Sequence, residues 1–479
     1  MTNNISGGLA YTIGTLDPYD AATSGGVAVL DHVHDTLRRR DPATGRLDGG
    51  LAEGTLVRVG EHEYELTLRP DALFNDGTEV TAEDAAAAVR TMVQATGEKG
   101  QLLGESLRAV RDALAVGERT LRLHTAGPMP LLDERLALVR VIPQHWQNSG
   151  LRRAYAPATG PYRIVEASSA TVALEPAETY PGASLRPLLT LRASPDASER
   201  LDGLLGGEFD AIEDPSPTSE SRISLRSDLE FGRQESQNIL WLMFNCADQR
   251  LKDVRVRRAI VHALDRDGLS RHANGGDLVP ADSLLPSWHA DYAPCPMYPQ
   301  SDVTAAKELL AAAGYGSGLE LRLAVSSASW VEANADTVVS QLARAGIDVT
   351  VTVAHTADLF SAEVPAGDYD LLLSSGDPSV YGVDGEFVLR WYLGRTWARG
   401  YCHWQDPVAD ELESLFDQAS IAPRDLQRDL LATAQRLCAE QVPIAPLGHR
   451  KQPSAWSTRL TGFRPSRTTG LNLRTPFRG

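Results

Sequence analysis

The chain has 479 residues, so the usual domain size predicts about two to four folded units. Hydrophobic residues make up 42% and charged residues 23%, which is the balance of a globular protein, and no apolar run approaches the roughly 18 residues of a membrane span. The formal charge is −17, from 46 Lys and Arg against 63 Asp and Glu, which argues against the concentrated basic surface of a nucleic-acid binder.

The first predicted strand lies near the N-terminus, in residues 7–18. Leu9, Tyr11 and Ile13 alternate there and share one face. The first residues, MTNNISGGLAYTIG, have neither the basic nor the apolar segment of an export signal. We therefore expect an extracytoplasmic protein if a leader has been removed or the start is misplaced, and a cytoplasmic protein if Met1 is the true start.

Two histidines, His32 and His34, lie two residues apart in the sequence DHVHD. On a helix this spacing points the side chains to different faces, whereas a metal-binding pair is expected four residues apart. The motifs G-x-S-x-G, G-x-x-x-x-G-K-[ST] and H-E-x-x-H are also missing from the sequence. The sequence therefore predicts no metal site, no cofactor and no catalytic residues, and we predict that the protein is not an enzyme.

Residues 61–90 predict a strand, a turn and a helix. The segment 61–70, EHEYELTLRP, alternates apolar and polar side chains and ends at a proline, which is typical of a half-buried strand. An Asp-Gly turn follows, and Thr81 with Asp84 three residues later matches a capping box at the start of a helix. We interpret the carboxylates of this stretch as capping and solvated groups rather than as a catalytic or metal site.

Two stretches predict strand–helix–strand units, which imply parallel strands joined by a helical crossover. They are residues 188–212 and residues 319–353, and residues 369–374, YDLLLS, add a further apolar strand after the second. The pattern predicts two separate open parallel α/β sheets. Between them, residues 253–269 predict a helix that begins at Asp253, with its arginines on a solvated face.

Four cysteines, Cys246, Cys295, Cys402 and Cys438, lie at least 36 residues apart. That separation excludes a compact zinc or redox pair of the C-x-x-C type. One or two disulfides in an oxidising compartment and four small buried thiols both stay open as interpretations.

The expected ligand site follows from the predicted sheets. In open α/β sheets ligands collect beyond the carboxyl ends of the strands, and two facing sheets form a cleft there. This selects two loops, residues 15–25 and residues 375–382. Asp377 in the second loop is suited to pair with a cationic group of a ligand, and a turn or helix cap is its alternative role.

Six sequence blocks that together extend over nearly the whole chain carry a family resemblance. They are residues 51–89, 158–166 (ATGPYRIVE), 194–212, 245–269, 298–315 and 442–447 (VPIAPL). In this order they resemble the large extracytoplasmic solute-binding proteins of ABC importers, the oligopeptide, dipeptide and nickel family. The resemblance implies a two-lobed α/β fold of the periplasmic-binding-protein type II, with an extra α+β subdomain in lobe one.

The resemblance also implies domain bounds and a ligand enclosed unaltered between the lobes. Lobe one takes residues 1–38, 160–240 and 447–479, the extra subdomain takes residues 39–159, and lobe two takes residues 241–446. By position, Thr23 and Ser24 fall near a loop that touches ligand, and Asp377 falls near the aspartate that binds the α-amine in peptide-binding members. Those members carry a tryptophan shortly before that aspartate, whereas this chain has Ser-Ser-Gly and a segment about two residues shorter.

Tyr381, Tyr19 and Trp391 are predicted as apolar walls of the site. The complete set of predicted ligand-binding residues is Tyr19, Thr23, Ser24, Asn245, Ser375, Asp377, Tyr381 and Trp391. The resemblance implies capture of a peptide or a similar small polar solute and its delivery to ABC permease subunits. We expect a monomer, because the sequence predicts two strand–helix–strand lobes and shows no sustained coiled-coil or repeat pattern. The alternative is a leaderless intracellular enzyme or ligand-binding factor on the same scaffold, because fold alone does not determine function.

Overall fold

The computed structural model describes residues 4–20, 23–41, 43–94, 104–216, 218–295, 301–378 and 384–474. Its strands are β1 Asn4–Leu9, β2 Arg39–Arg40, β3 Leu47–Asp48, β4 Ala52–Arg58, β5 Glu63–Leu68, β6 Val110–Ala115, β7 Thr120–Thr125, β8 Tyr162–Ala167, β9 Thr171–Pro176, β10 Leu188–Ala193, β11 Ala211–Glu213, β12 Leu229–Phe244, β13 Leu278–Pro280, β14 Leu319–Ser326, β15 Ile347–Ala354, β16 Leu371–Gly376 and β17 Ile444–Ser457. Its longer helices are α1 Ser24–Val33, α2 Ala82–Val93, α3 Ala197–Leu205, α4 Val254–Ala263, α5 Arg266–Ala273, α6 Val303–Ala312, α7 Ala335–Arg344, α8 Gly385–Leu393, α9 Val408–Ala419 and α10 Arg424–Gln441. Short α-helical segments lie at Leu132–Arg135, Ser219–Ile223, Ser329–Glu332, Thr356–Asp358 and Val364–Ala366.

One mixed sheet of eleven strands runs through both lobes, in the order β15-β14-β16-β12-β17-β11-β1-β10-β9-β8, with β13 paired to β17. Strands β12 and β17, of 16 and 14 residues, pair antiparallel along most of their length. Strand β11 of lobe one pairs with β17, and β16 of lobe two pairs with β12. The prediction of two separate sheets is therefore wrong, because these two long strands join the sheet of one lobe to that of the other.

The parallel pairing predicted from the strand–helix–strand patterns is confirmed. Strand β14 pairs parallel with β15 and β16, and β1 pairs parallel with β10 and β11. The predicted bounds of the first strand are wrong, because β1 ends at Leu9 and leaves Tyr11 and Ile13 in the following loop. Gly7 and Gly8 allow neighbouring side chains to pack closely against the backbone of β1. A Cβ on Gly7, for example, would lie 2.9 Å from the Leu191 side chain.

Three large buried clusters of side chains form the lobes. The core of lobe two is built from the segment between Ile239 and Leu447. The core of lobe one joins the two ends of the chain and includes both Ile5 and Leu473. The extra subdomain has its own core beneath the four-stranded sheet β4-β5-β7-β6 and helix α2. This is the predicted two-lobed arrangement with an added α+β unit, while the residue bounds of the domains stay a prediction.

Side-chain caps predicted from the sequence begin two helices. At the start of α2, Thr81 Oγ1 accepts the Asp84 N–H at 3.2 Å while Asp84 Oδ2 accepts the Thr81 N–H at 2.9 Å. This is the predicted capping box, which satisfies backbone donors that the helix itself leaves unpaired. At the start of α4, Asp253 Oδ1 accepts the Arg255 N–H at 2.9 Å. Both caps are confirmed.

One arginine of α4 is not on a solvated face as predicted. Arg257 is only 2% exposed. Its guanidinium donates to four backbone carbonyl oxygens, among them Leu251 at 2.7 Å and Val442 at 3.1 Å. The four carbonyls belong to Leu251, Lys252, Gln441 and Val442. The helical repeat points the Arg257 side chain toward the protein interior. There its guanidinium pairs carbonyl groups that an apolar side chain would leave without a donor.

We expect Asp84→Asn to lower the free energy of unfolding by about 1 kcal/mol, the scale of a helix cap or dipole effect. Besides its capping bonds, Asp84 Oδ1 accepts the Gln144 N–H at 2.7 Å, so the side chain has a structural role on both of its oxygens. Urea unfolding measures the change, and Asp71→Asn, at an exposed carboxylate of the same subdomain, is the control. A folded Asp84→Asn protein that loses affinity for a solute bound by the native chain would contradict this role.

The four cysteines are free thiols, and all of them are buried. The structure thus favours four small buried thiols over one or two disulfides.

Within the residues described, no helix is both long and apolar enough to span a membrane.

Candidate functional site in the cleft between the lobes

The strands of the two lobes point their carboxyl ends at each other. Glu213, at the end of β11, lies opposite Ser454 of β17. Gly376, at the end of β16, lies opposite Ile239 of β12, and Ile239 in turn lies opposite His449 of β17. The carboxyl ends of β11 and β16 therefore both lie beside the middle of the β12–β17 pair, on opposite sides of it. This edge is where a ligand is expected in an open α/β sheet.

A cluster of charged groups lies at this meeting point. Glu213 is 2% exposed, and its carboxylate accepts the Ala10 N–H at 3.1 Å and the Gly470 N–H at 2.8 Å. Burial raises the pKa of Glu213 to about 7, and the charge of Asp214 adds to the rise, while the two N–H groups oppose it. The carboxyl group of Glu213 is therefore partly protonated near neutral pH.

Arg450 supplies a positive charge to the cluster. Its guanidinium forms a buried ion pair with Asp214 and lies 4.5 Å from the centre of the Trp330 ring. Tyr11 lies beside the same groups, and burial followed by the charges of Asp214 and Glu213 raises the pKa of its hydroxyl. The phenol consequently stays a neutral hydrogen-bonding group in this cluster.

Asp377 connects lobe two to lobe one directly. Its Oδ2 accepts the Thr469 N–H at 2.9 Å and the Thr469 hydroxyl at 2.5 Å. Thr469 belongs to the C-terminal segment that returns to lobe one, and the next residue, Gly470, donates to Glu213. One short segment thus binds a carboxylate of each lobe, so the structure shows the lobes in contact.

Two cavities lie along the boundary between the lobes and the extra subdomain. The larger has a volume of about 360 Å³ and the smaller about 270 Å³. Both are lined by Arg40, Asp41, Glu134, Asp384 and Thr468, so they are neighbours. The larger cavity also reaches Thr469. Charged side chains of both signs line its walls, which suits a polar rather than a purely apolar solute.

An aromatic cluster in lobe two borders the same edge. The Trp397 ring centre lies 5.4 Å from those of Trp241, Tyr392 and Tyr401 and 5.3 Å from that of Phe360. The backbone of β16 approaches the cluster closely, since a Cβ on Gly376 would lie 2.5 Å from the Tyr392 hydroxyl. The glycine at this position therefore lets the strand end pack against the rings.

Three of the predicted site residues lie on α1, at its N-cap or on β16. Thr23 is the N-cap of α1, and its Oγ1 accepts N–H groups from Gly14 and Gly26 at 3.0 and 3.1 Å. Ser24 is the first residue of that helix, and Ser375 lies on β16 two residues before Asp377. These side chains stay predicted ligand contacts.

Three other predicted residues have structural partners, and one lies outside the described residues. The Tyr19 hydroxyl donates to the Arg140 carbonyl at 3.0 Å within the buried core of the extra subdomain. Asn245 Nδ2 donates to two backbone carbonyls at 3.0 Å, at the end of β12. Trp391 packs between the cores of lobe two and the extra subdomain. Tyr381 is the residue outside the described ranges.

Sequence reasoning missed Glu213, Asp214, Arg450 and Thr469. The rule that selected the loop after β16 also applies to β11, so Glu213 and Asp214 had a readable signal in the sequence FDAIEDP. Arg450 and Thr469 had none, because they come from long-range pairing of the C-terminal segment. The His32 side chain binds this segment: its Nε2 accepts the Leu473 N–H at 2.9 Å.

Comparison with known proteins identifies the family. The family model of the bacterial extracellular solute-binding proteins, family 5 (middle region), matches residues 46–399. The chain belongs to this family. The resemblance inferred from the six sequence blocks is confirmed, and the family is one of binding proteins rather than of enzymes.

Individual relatives are more distant. The glutathione-binding protein GsiB of Pectobacterium atrosepticum is 28% identical over 432 residues, which is 86% of this chain and 77% of the relative. The dipeptide-binding protein of Pseudoalteromonas sp. SM9913, solved with Met-Leu, has a TM-score of 0.84 at 19% identity and covers 98% of this chain and 99% of its own. The PBP AgaA of A. tumefacien R10, solved with agropinic acid, has a TM-score of 0.81 at 22% identity, covering 98% and 96%. These two structures establish the fold.

Proposed function

We propose that the protein is the solute-binding component of an ABC importer, which encloses a peptide or a similar small polar solute between its lobes and delivers it to a membrane permease. The observation that carries the proposal is the convergence of strand ends from both lobes on one enclosed polar cluster, in a chain of the solute-binding family. A solute placed there contacts both lobes at once, so its binding favours the closed form.

The charges at the cleft favour a solute that carries an ammonium group. Asp377 directly follows β16, and its Oδ2 accepts two hydrogen bonds from Thr469. An ammonium group inserted beside Asp377 would form charge-assisted hydrogen bonds with the same carboxylate. Glutathione and Met-Leu, the molecules named for two of the relatives, each carry a free α-amine.

The test is native mass spectrometry of protein purified from its own producer, followed by calorimetry with Met-Leu, glutathione and their N-acetylated forms. We expect a co-purified small molecule, and binding of a free-amine compound without any change to it. Chemical conversion of the bound compound would contradict the proposal. The same preparations should be monomeric in light scattering, because closure around the solute needs only the two lobes of one chain.

A further inference from the structure

A buried ion cluster joins the extra subdomain to lobe two, and its Arg135 and Asp384 also line the larger cavity. Arg135 of the subdomain donates from Nε and Nη2 to the two carboxylate oxygens of Asp384, at 3.1 and 2.8 Å. Its Nη2 also donates to Glu386 at 2.5 Å, and its Nη1 to the Ser106 carbonyl at 3.0 Å. The three charged side chains are only 2–5% exposed. Such a two-pronged arginine–carboxylate contact is the geometry that a guanidinium favours.

Further ion pairs extend the cluster along α8 and form a second contact between lobe two and the extra subdomain. Arg390, one helical turn after Glu386, donates to that carboxylate at 2.6 Å and to Asp417 at 3.0 Å. Arg108 of the extra subdomain pairs with the same Asp417. The buried part therefore contains two arginines and two carboxylates, so it is neutral only while Arg135 stays in contact with lobe two.

Apolar packing follows the same boundary. Phe387 of α8 lies in the buried core of the extra subdomain, and Trp391, one turn further on, packs against that core as well. The opposite face of α8 puts Val388 and Leu389 into the core of lobe two. One short helix thus contributes to both cores, and opening the cleft at this boundary exposes Phe387 together with the three charges.

We infer that Arg135, Asp384 and Glu386 form a clasp that favours the closed form of the protein without requiring a solute. In the closed form the charges are removed from water but paired, whereas in the open form each is solvated separately. Removing only the arginine leaves the two carboxylates in the closed form with one buried counter-charge, that of Arg390, and an uncompensated buried charge is strongly unfavourable. The open form bears no such penalty, so the population shifts toward it.

The experiment compares Arg135→Met with the native protein and with Arg122→Met, all without solute. Arg122 is the matched control, because it lies in the same subdomain and its ion pair with Glu65 stays within one sheet. X-ray scattering should give a larger radius of gyration for Arg135→Met only. Hydrogen exchange of residues 385–393 should be at least about tenfold faster in that variant, since the clasp is worth more than one factor of ten in the closed population.

Two further variants keep the inference testable if Arg135→Met does not fold. Arg135→Lys keeps the positive charge but loses the two-pronged contact with Asp384. We expect this variant to populate the open form partly. The double variant Arg135→Met, Asp384→Asn removes one positive and one negative charge and leaves Arg390 paired with Glu386, so it should return toward the native radius. Its Asp384→Asn change retains a side-chain oxygen that can accept the Phe387 N–H at the cap of α8. A native radius and native exchange in folded Arg135→Met or Arg135→Lys would overturn the clasp. Because no solute is used, this result is independent of whether the proposed transport function holds.

Discussion

Replacing Asp377 by alanine should lower the affinity for a solute with a free amine by roughly 30-fold to several-thousand-fold. An ammonium group enclosed in the cleft would lose its charged partner, and such truncations cost about 2–5 kcal/mol, at 1.4 kcal/mol for each factor of ten. In the structure the Asp377 carboxylate accepts two hydrogen bonds from Thr469, so the ammonium joins or replaces groups that donate to the same side chain. Calorimetry with Met-Leu and with N-acetyl-Met-Leu measures the effect.

The acetylated compound separates the ion pair from general damage to the cleft. It should bind the native protein weakly, and Asp377→Ala should leave its affinity nearly unchanged. Thr469→Val is the second control, because it keeps the backbone donor but removes the hydroxyl that bonds to Asp377. It should have a much smaller effect than Asp377→Ala on the free-amine compound. Equal affinity of native and Asp377→Ala proteins for Met-Leu, if the native protein binds it, would show that Asp377 has a structural role and does not bind the ammonium group.

Replacing Arg257 by methionine should lower the free energy of unfolding by about 3–5 kcal/mol. A methionine fills similar space, but it leaves four backbone carbonyl oxygens without their donor, two of them, of Leu251 and Val442, in buried hydrogen bonds. Each buried polar group left unpaired costs about 1–3 kcal/mol unless water reaches it. The carbonyls lie just before the start of α4 and at the end of α10. The loss of stability is therefore expected in lobe two. Urea unfolding followed by tryptophan fluorescence measures the change.

Arg255→Met is the matched control, on the same helix and two residues away. Its guanidinium is half exposed and pairs with Asp253 next to it, so the substitution should leave the stability nearly unchanged. If the lobes unfold in separate steps, the transition assigned to lobe two is the one that should shift. Equal unfolding midpoints for the two variants would show that water replaces the Arg257 donors.

Features that depend on neighbouring residues were predictable from the sequence. The capping box of Thr81 and Asp84, the cap at Asp253 and the strand–helix–strand units at residues 188–212 and 319–353 all follow from patterns within about 35 residues. The same holds for the loop that contains Asp377, because the carboxyl end of a strand is recognisable from the strand itself. These local signals, together with the order of the six blocks, were enough to predict the fold class and the family.

Features that depend on distant parts of the chain were not predictable. The continuous sheet requires β12 and β17 to pair although more than 200 residues separate most of their partners, and no local pattern reports such pairing. The donors to Asp377 and Glu213 come from Thr469 and Gly470, in a segment whose sequence shows no regular period. The contact of Arg135 with Asp384 likewise joins residues that are 249 positions apart.

The way in which lobe one is assembled has a consequence for biosynthesis. Strand β1 is synthesised long before the segment that covers it, because a Cβ on its Gly7 would lie 3.2 Å from Leu471 and 3.1 Å from Leu473. The core of lobe two, in contrast, is contained between Ile239 and Leu447 and can form earlier. Contacts of such long sequence separation form slowly, and the nascent β1 keeps an uncovered apolar face until residues 471–473 have been synthesised. A nascent chain that lacks this segment is therefore expected to aggregate more readily than the folded protein.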